Sequence, residues 1–364
     1  MEPASALDTA AQPQPHPEPP AQARVLTLPA RSSAAEAART AEPAAVADGP
    51  VIAPGSWRAY AKLAKLDILD YYLSIPLVAA MLVPFGAAAD LPYVGRSALV
   101  LLLFFLGELT MVAAMVAFDD VTGYRDGSDA ANYGPDAAAR RLARKPLVAG
   151  TLTEHQALRF GSAAIALCAG FWGATVAIAP ARPLWAVLGT GACLVFGFQY
   201  SWWLKFSYRG FQELFLAALG WGYVLPLFGL LTGQAPGFVV VQALVFGLGP
   251  ALFGVYSNIN DRDGDRAVGR LTVACVTSVR GNAAFIGAVS ACEALLIVAP
   301  SAAGIGPWWF PLLMSPVVAL RAVQWVRGNV RGDVFGARTL GIRLHRIATA
   351  LMVAADLLLA VTQR

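Results

Sequence analysis

From about residue 68 to the C-terminus the chain alternates long apolar runs with short polar ones. A bilayer crossing takes about 20 mainly apolar residues wound as a helix, because lipid cannot satisfy free backbone groups. Nine runs qualify: 68–89, 97–118, 160–179, 184–200, 211–231, 237–256, 283–299, 305–325 and 347–361. The fourth and the last are short. The pattern predicts an all-α fold, a polytopic bundle of nine transmembrane helices.

Charge tests that count, since a wrong number of spans would scramble the alternation of basic loops. Twenty basic residues fall on one side of the predicted bundle, among them Arg58, Lys62, Lys65, Arg144, Lys145, Lys205, Arg270 and Arg338. Only Arg96 and Arg182 fall on the other. The N-terminus and the long loops are therefore expected in the cytoplasm, and any chemistry with them, because the opposite loops are short and nearly devoid of polar groups.

Composition agrees: 57% of residues are apolar and 14% charged, against about 25% charged in a soluble domain. An ordinary soluble enzyme is excluded. Residues 1–54 differ sharply, being an Ala/Pro/Glu/Gln mixture expected to be disordered; residues 55–364 form the membrane domain. The chain's net charge of +4 becomes +7 without the acidic tail. Met1 to Pro20 has neither a basic n-region nor an apolar core, so no cleaved signal is expected. Cys168, Cys193, Cys275 and Cys292 are scattered, with no CxxC pair, and read as inert thiols.

Two polar segments stand apart. The one leaving the second span carries Asp119, Asp120, Asp126 and Asp129, and the one leaving the sixth carries Asp261, Asp263 and Asp265, with Asp261 and Asp265 at i and i+4 on one helical face. Seven carboxylates at the mouth of an apolar bundle repel one another unless they share a cation. Mg²⁺ suits them, being held by one or two carboxylates plus substrate phosphate oxygens. Arg144, Lys145, Lys205, Arg266 and Arg270 are candidates to neutralise the remaining phosphate charge. The alternative is that acids and bases merely pair with one another at the membrane surface. An EF-hand is excluded, because its spacing and closing Glu are missing. Recurrence at spans 2 and 6 suggests two similar halves, spans 1–4 and 5–8, with the site between them.

These residues resemble the UbiA superfamily of intramembrane prenyltransferases, from Trp57 to Val361. The basic lead Trp57-Arg58-Ala-Tyr60-Ala-Lys62-Leu-Ala-Lys65, the Arg144-Lys145-Pro146-Leu-Val-Ala-Gly150 run, the pattern Tyr200, Lys205, Gly210 and Glu213, and the DxxxDxxxGxxT signature at Asp261, Asp265, Gly269 and Thr272 all carry the likeness. The first acidic segment is similar to the NDxxDxxxxxD form of dihydroxynaphthoate prenyltransferases, with Asp119 at the Asn, Asp120 and Asp129 matching, and Gly123 where the family has its central Asp. Asp126 is a candidate to reach in instead.

The resemblance implies a UbiA-like fold and ionisation of an allylic isoprenoid diphosphate. It implies Mg²⁺ held by Asp119, Asp120, Asp129, Asp261 and Asp265, and diphosphate bound by Lys145, Lys205, Arg266, Arg144, Arg270 and Asn258. Three functions remain open: prenyl transfer to a lipophilic aromatic or quinone-precursor acceptor; terpene cyclisation, with which Gly123 is in character; and a carrier without catalysis. Nucleic acid is not an expected partner, whereas membrane lipid is. Trp202, Trp203, Tyr208, Trp221 and Tyr223 are candidate cavity liners or interfacial anchors. Glu108, three helical turns before Asp119, is expected to point into the same cavity, and Glu213 is a further candidate; Glu293 and Asp356 read as structural. The Ala/Gly/Arg-rich composition points to the plasma membrane of a bacterium.

Overall fold

The structure is a computed structural model describing residues 52–66, 68–85, 91–132 and 142–362. The expected disordered tail lies outside these residues except for its last three positions, as do Arg140 and Arg141 of the basic loops. The described residues are helical and contain no strand. In chain order the helices are α1 (Trp57–Leu63), α2 (Ser74–Met81), α3 (Leu91–Asp126), α4 (Ser128–Asn132), α5 (Glu154–Ile178), α6 (Leu184–Gly197), α7 (Gln212–Thr232), α8 (Gly237–Asn260), α9 (Arg262–Ala267), α10 (Val273–Val276), α11 (Val279–Ala302), α12 (Phe310–Trp325) and α13 (Val334–Thr362).

Among the described residues, six helices are long and apolar enough to cross a membrane: α3 from Tyr93, α5, α7, α8, α11 and α13. The other three predicted spans are shorter as helices. Residues 68–89 contain only the 8-residue α2, with 86–90 outside the described residues, α6 has 14 residues, and α12 has 16 before a wider turn over Val326–Val330.

Helix ends and apolar ends do not coincide. α3 continues eight residues past the predicted end at 118, and α13 begins thirteen residues before 347. The first acidic segment is therefore helix rather than loop. It turns only at Gly127, whose φ of +82° suits a residue without Cβ, and resumes as α4. At the other motif Asp261 ends α8, and α9 restarts at Arg262. α5 starts on a capping box in which Thr153 and Gln156 satisfy each other's backbone N–H groups.

α7 and α8 are the most enclosed spans, and α5 and α11 the least. α7 and α8 cross so closely that a Cβ on Gly220 would stand 2.6 Å from the Gly247 Cα, the small-residue contact by which membrane helices pack without a hydrophobic drive. α8 also packs on α11 and α13, and α3 packs on α5. Inside the bundle Arg321 of α12 donates two 2.7 Å hydrogen bonds to Glu293 of α11 and a third to Gln324, whose amide donates to the carbonyls of Leu252 on α8 and Ala337 on α13. Four helices are tied by one network, which supports the structural reading of Glu293. A second tie joins Asp70 to Arg346 of α13 at 2.8 and 3.2 Å.

Candidate active site

The C-terminal ends of α3 and α8 lie beside one another, and the short helices that continue them touch: a Cβ on Gly264 of α9 would meet the Asn132 side chain of α4 at 2.2 Å. Both acidic motifs thus open on one cavity of about 420 Å³. Asp119, Asp129, Asp261 and Asp265 line it, with Arg144, Lys145, Arg270 and Asn258.

Three cations hold the carboxylates together. Lys145 donates to Asp120 at 2.8 Å and pairs with Asp129 at 2.8 Å, while Lys65 reaches the same Asp120 oxygen at 3.2 Å. Arg270 bridges the motifs, donating to Asp119 at 3.1 Å and to Ser201 at 3.2 Å, and lying 3.6 Å from Asp265; its guanidinium stands 4.5 Å above the Tyr208 ring. Ser201 also donates to Asp119 at 2.6 Å. Burial works against the Lys145 ammonium, but Asp120, Asp129 and Asp119 outweigh it and raise its pKa well above that of an ordinary lysine.

The acids are less well served. Asp120 and Asp129 are buried, and each keeps one carboxylate oxygen with no hydrogen-bond partner among the described residues; Asp129 lines the cavity, whereas Asp120 lies behind Lys145 and does not. Burial, reinforced by Asp120 and Asp119 and opposed by Lys145, raises Asp129 to about 6. Burial likewise raises Asp265 to about 7, with Asp261 and Asp119 adding and Arg270 opposing. An unpartnered buried carboxylate oxygen costs free energy that a cation offsets.

Gly123 explains itself here. A Cβ built on it would stand 2.6 Å from the Asp129 Cγ and 2.7 and 2.9 Å from its two oxygens. The Asp129 carboxylate thus occupies the space into which a side chain at 123 would project, so the missing central Asp is matched by a carboxylate in the same place. Asp126 does not reach in; it accepts from the Tyr208 hydroxyl and from Ser128 N–H at 3.0 Å.

Several expected ligands are elsewhere. Lys205 is exposed, over the Tyr208 ring at 5.0 Å, and Arg266 is turned away to donate to the Cys275 carbonyl at 3.0 and 3.2 Å, tying α9 to α10; neither lines the cavity. Glu108 is fully buried, with both oxygens accepting from Ser74 at 2.7 and 2.9 Å, and does not line the cavity either. It faces Ser74 of α2 instead. Asn258 does line the cavity, though its amide is committed: it donates to Glu213 at 2.9 Å and accepts from Gln212 at 2.6 Å. Glu213 also accepts from the Val273 N–H at 3.1 Å, so its role is to fix α10 and Asn258. Of the aromatic candidates, Trp202 stacks on Phe118 and Tyr223 packs edge-on against Trp172.

Sequence reasoning missed Ser201, which carries no motif of its own, and Phe335 and Arg338, which reach the cavity because α13 starts early. Lys65 was visible as a basic residue, but nothing in its spacing tied it to Asp120.

The donor set is all oxygen, as Mg²⁺ requires, and two carboxylate oxygens are unpartnered. No three His, Cys, Asp or Glu side chains among the described residues form a ready-made metal cage. Mg²⁺ needs none where substrate phosphates complete its shell, so the residues present fit the ion.

Known proteins share this architecture. The chain is 24% identical over 287 residues, 78% of its length and 88% of the relative's, to a 4-hydroxybenzoate octaprenyltransferase of Alkalilimnicola ehrlichii. A UbiA homolog from Archaeoglobus fulgidus bound to GPP and Mg²⁺ superposes with a TM-score of 0.59 at 17% identity, over 83% of this chain and 99% of that one. The apo UbiA homolog from Aeropyrum pernix gives 0.56 at 18%, over 78% and 97%. Residues 73–357 match the model of the UbiA prenyltransferase family, and with both acidic motifs brought to one cavity at the end of an all-helical membrane bundle, the chain belongs to that family.

Proposed function

We propose that this protein ionises an allylic isoprenoid diphosphate at the acidic cavity and transfers the prenyl group to an aromatic acceptor of the hydroxybenzoate or quinone-precursor kind. The observation that carries the reading is the convergence of both motifs on one cavity, where Asp129 keeps an oxygen without a partner among the described residues and Lys145, Arg270 and Arg144 stand around it.

Asp119, Asp120, Asp129, Asp261 and Asp265 would hold Mg²⁺, which when bound supplies charge stabilisation for the diphosphate leaving group. The chain's own cations share that task. Lys145 and Arg270 are already fixed by carboxylates and need little reorganisation to meet phosphate oxygens, which is where preorganised electrostatics are most effective. As the allylic C–O bond breaks, its electron pair stays on the diphosphate, and the allylic cation is captured by the acceptor ring, which then loses a proton. The apolar bundle below the cavity keeps water from that cation.

Several supports come from outside the geometry. The Alkalilimnicola relative is an octaprenyltransferase for 4-hydroxybenzoate by name, and the Archaeoglobus homologue was solved with GPP and Mg²⁺. Terpene cyclisation was suggested by Gly123, and that motive weakens because Asp129 fills the vacant place. The charge asymmetry supports a nine-segment topology with a cytoplasmic acid mouth, in keeping with Lys65, Arg144, Lys145, Arg270 and Arg338 of the basic side lining one cavity. A bacterial inner membrane fits the same reading.

The test is a membrane-fraction assay with Mg²⁺ and geranyl, farnesyl or geranylgeranyl diphosphate, run with and without 4-hydroxybenzoate or 1,4-dihydroxy-2-naphthoate and read by mass spectrometry. A prenylated acceptor with no turnover in its absence supports transfer. A cyclic hydrocarbon formed without acceptor overturns it.

A further inference from the structure

α8 and α13 each reach from the acidic cavity to a second one at the far end of the bundle. Arg338 lines the first cavity and Asp356 the second, eighteen residues apart on α13 and so about 27 Å along the axis. The second cavity holds about 310 Å³, at the small end of the roughly 300–1,000 Å³ typical of small-molecule sites. Nothing in diphosphate chemistry requires it.

Its walls are apolar, with Phe85, Phe238 and Leu359, and three prolines, Pro84, Pro236 and Pro307, that bring no backbone N–H. Among these stands one ionisable group. Asp356 is 98% buried, its Oδ1 accepting from the Gln242 amide at 3.0 Å. Among the described residues its Oδ2 has no donor, and neither has the Gln242 carbonyl oxygen. A buried carboxylate oxygen without a donor, set among apolar walls, is an expensive arrangement. The contrast with Glu293 is direct, since that buried acid is fully met by Arg321.

We propose that this cavity is a binding site for a lipophilic ammonium, with the charged nitrogen on Asp356, which Gln242 holds from behind, and the hydrocarbon body against Phe85, Phe238 and Leu359. An alcohol donates one hydrogen bond to the carboxylate and brings no charge. A protonated primary amine donates to the unmet oxygen and neutralises the carboxylate, making a charge-assisted hydrogen bond. The site is independent of the prenyl-transfer reading.

The protein, purified into phosphatidylcholine nanodiscs, is titrated with 2-phenylethylamine and, separately, with 2-phenylethanol, followed by saturation-transfer NMR. Saturable amine binding at least tenfold tighter than that of the alcohol is expected. Asp356→Asn, nearly isosteric, should weaken the amine at least tenfold and leave the alcohol unchanged, and Leu359→Trp, which fills the cavity from its apolar wall, should weaken both. Thermal unfolding reports whether each variant is folded. Equal binding of amine and alcohol by the unaltered protein, or non-saturable partitioning of the amine, overturns the proposal without any variant. A folded Asp356→Asn with undiminished amine affinity overturns it too. Repeating the amine titration in phosphatidylethanolamine nanodiscs separates the sources: lost affinity assigns the site to a lipid headgroup amine, retained affinity to a free one.

Discussion

Two clusters of buried charge lie in this bundle, and they are finished to different degrees. In the Glu293–Arg321–Gln324 network every carboxylate oxygen meets a donor at 2.7 Å, and the chain of bonds runs on to two backbone carbonyls. Around the acidic cavity Lys145 serves both Asp120 and Asp129, Arg270 serves Asp119 and Asp265, and one oxygen each of Asp120 and Asp129 is left over among the described residues. A completed network holds helices; an incomplete one facing a cavity has capacity for a ligand. Both sets of residues are charged and buried, so burial alone does not separate structure from function, whereas the tally of partners does.

The sharpest break of that contrast is Asp120→Ala. It should lower Mg²⁺-dependent turnover about 10³-fold, the scale of lost transition-state charge stabilisation, with the variant still monodisperse on size exclusion. Glu293→Ala should do the reverse. It strands Arg321 in the bundle and costs about 3–5 kcal/mol of stability, seen in thermal unfolding, while the KM for diphosphate of the folded fraction stays put.

The sequence made the site's chemistry legible and its boundaries less so. Asp119, Asp129, Asp261, Asp265, Lys145 and Arg270 share the cavity as expected, because motif spacing on a helix end fixes which face each residue takes. Hydropathy, however, marks where lipid stops rather than where a helix stops. That is why α3 was expected to end at 118 yet carries Asp119 and Asp120 as helical residues, and why Phe335 and Arg338 of α13 went unforeseen. Lys205 and Arg266 have the right charge and neighbourhood, but the left-handed backbone at Lys205, φ +49°, and the Cys275 carbonyl turn them elsewhere. Such choices depend on loop geometry that periodicity does not encode.

Gly123 sharpens the comparison within the site. Restoring a carboxylate with Gly123→Asp should not improve the enzyme, since the new side chain must displace Asp129. Steady-state assays should show an apparent Mg²⁺ affinity about 10–100-fold poorer, the range for disturbed ligand orientation, and Gly123→Ala should show a milder loss of the same sign. A gain of activity in Gly123→Asp would mean that Asp129 is not standing in for it.

The smallest effect is expected at Lys205→Ala. As a solvent-exposed cation it should change kcat/KM by no more than about fivefold, in keeping with the ~0–1 kcal/mol of exposed charge interactions. A larger loss would show that Lys205 swings to the substrate.

The unfinished cluster is most directly tested by calorimetric titration of geranyl diphosphate into the purified protein and into Asp129→Ala, each with Mg²⁺ and with the ion chelated. The account predicts binding by the unaltered protein that depends on Mg²⁺ and falls at least about 30-fold in Asp129→Ala, within the range for a lost ligand or its support. Equal affinity with and without the ion, undiminished in the variant, would contradict it.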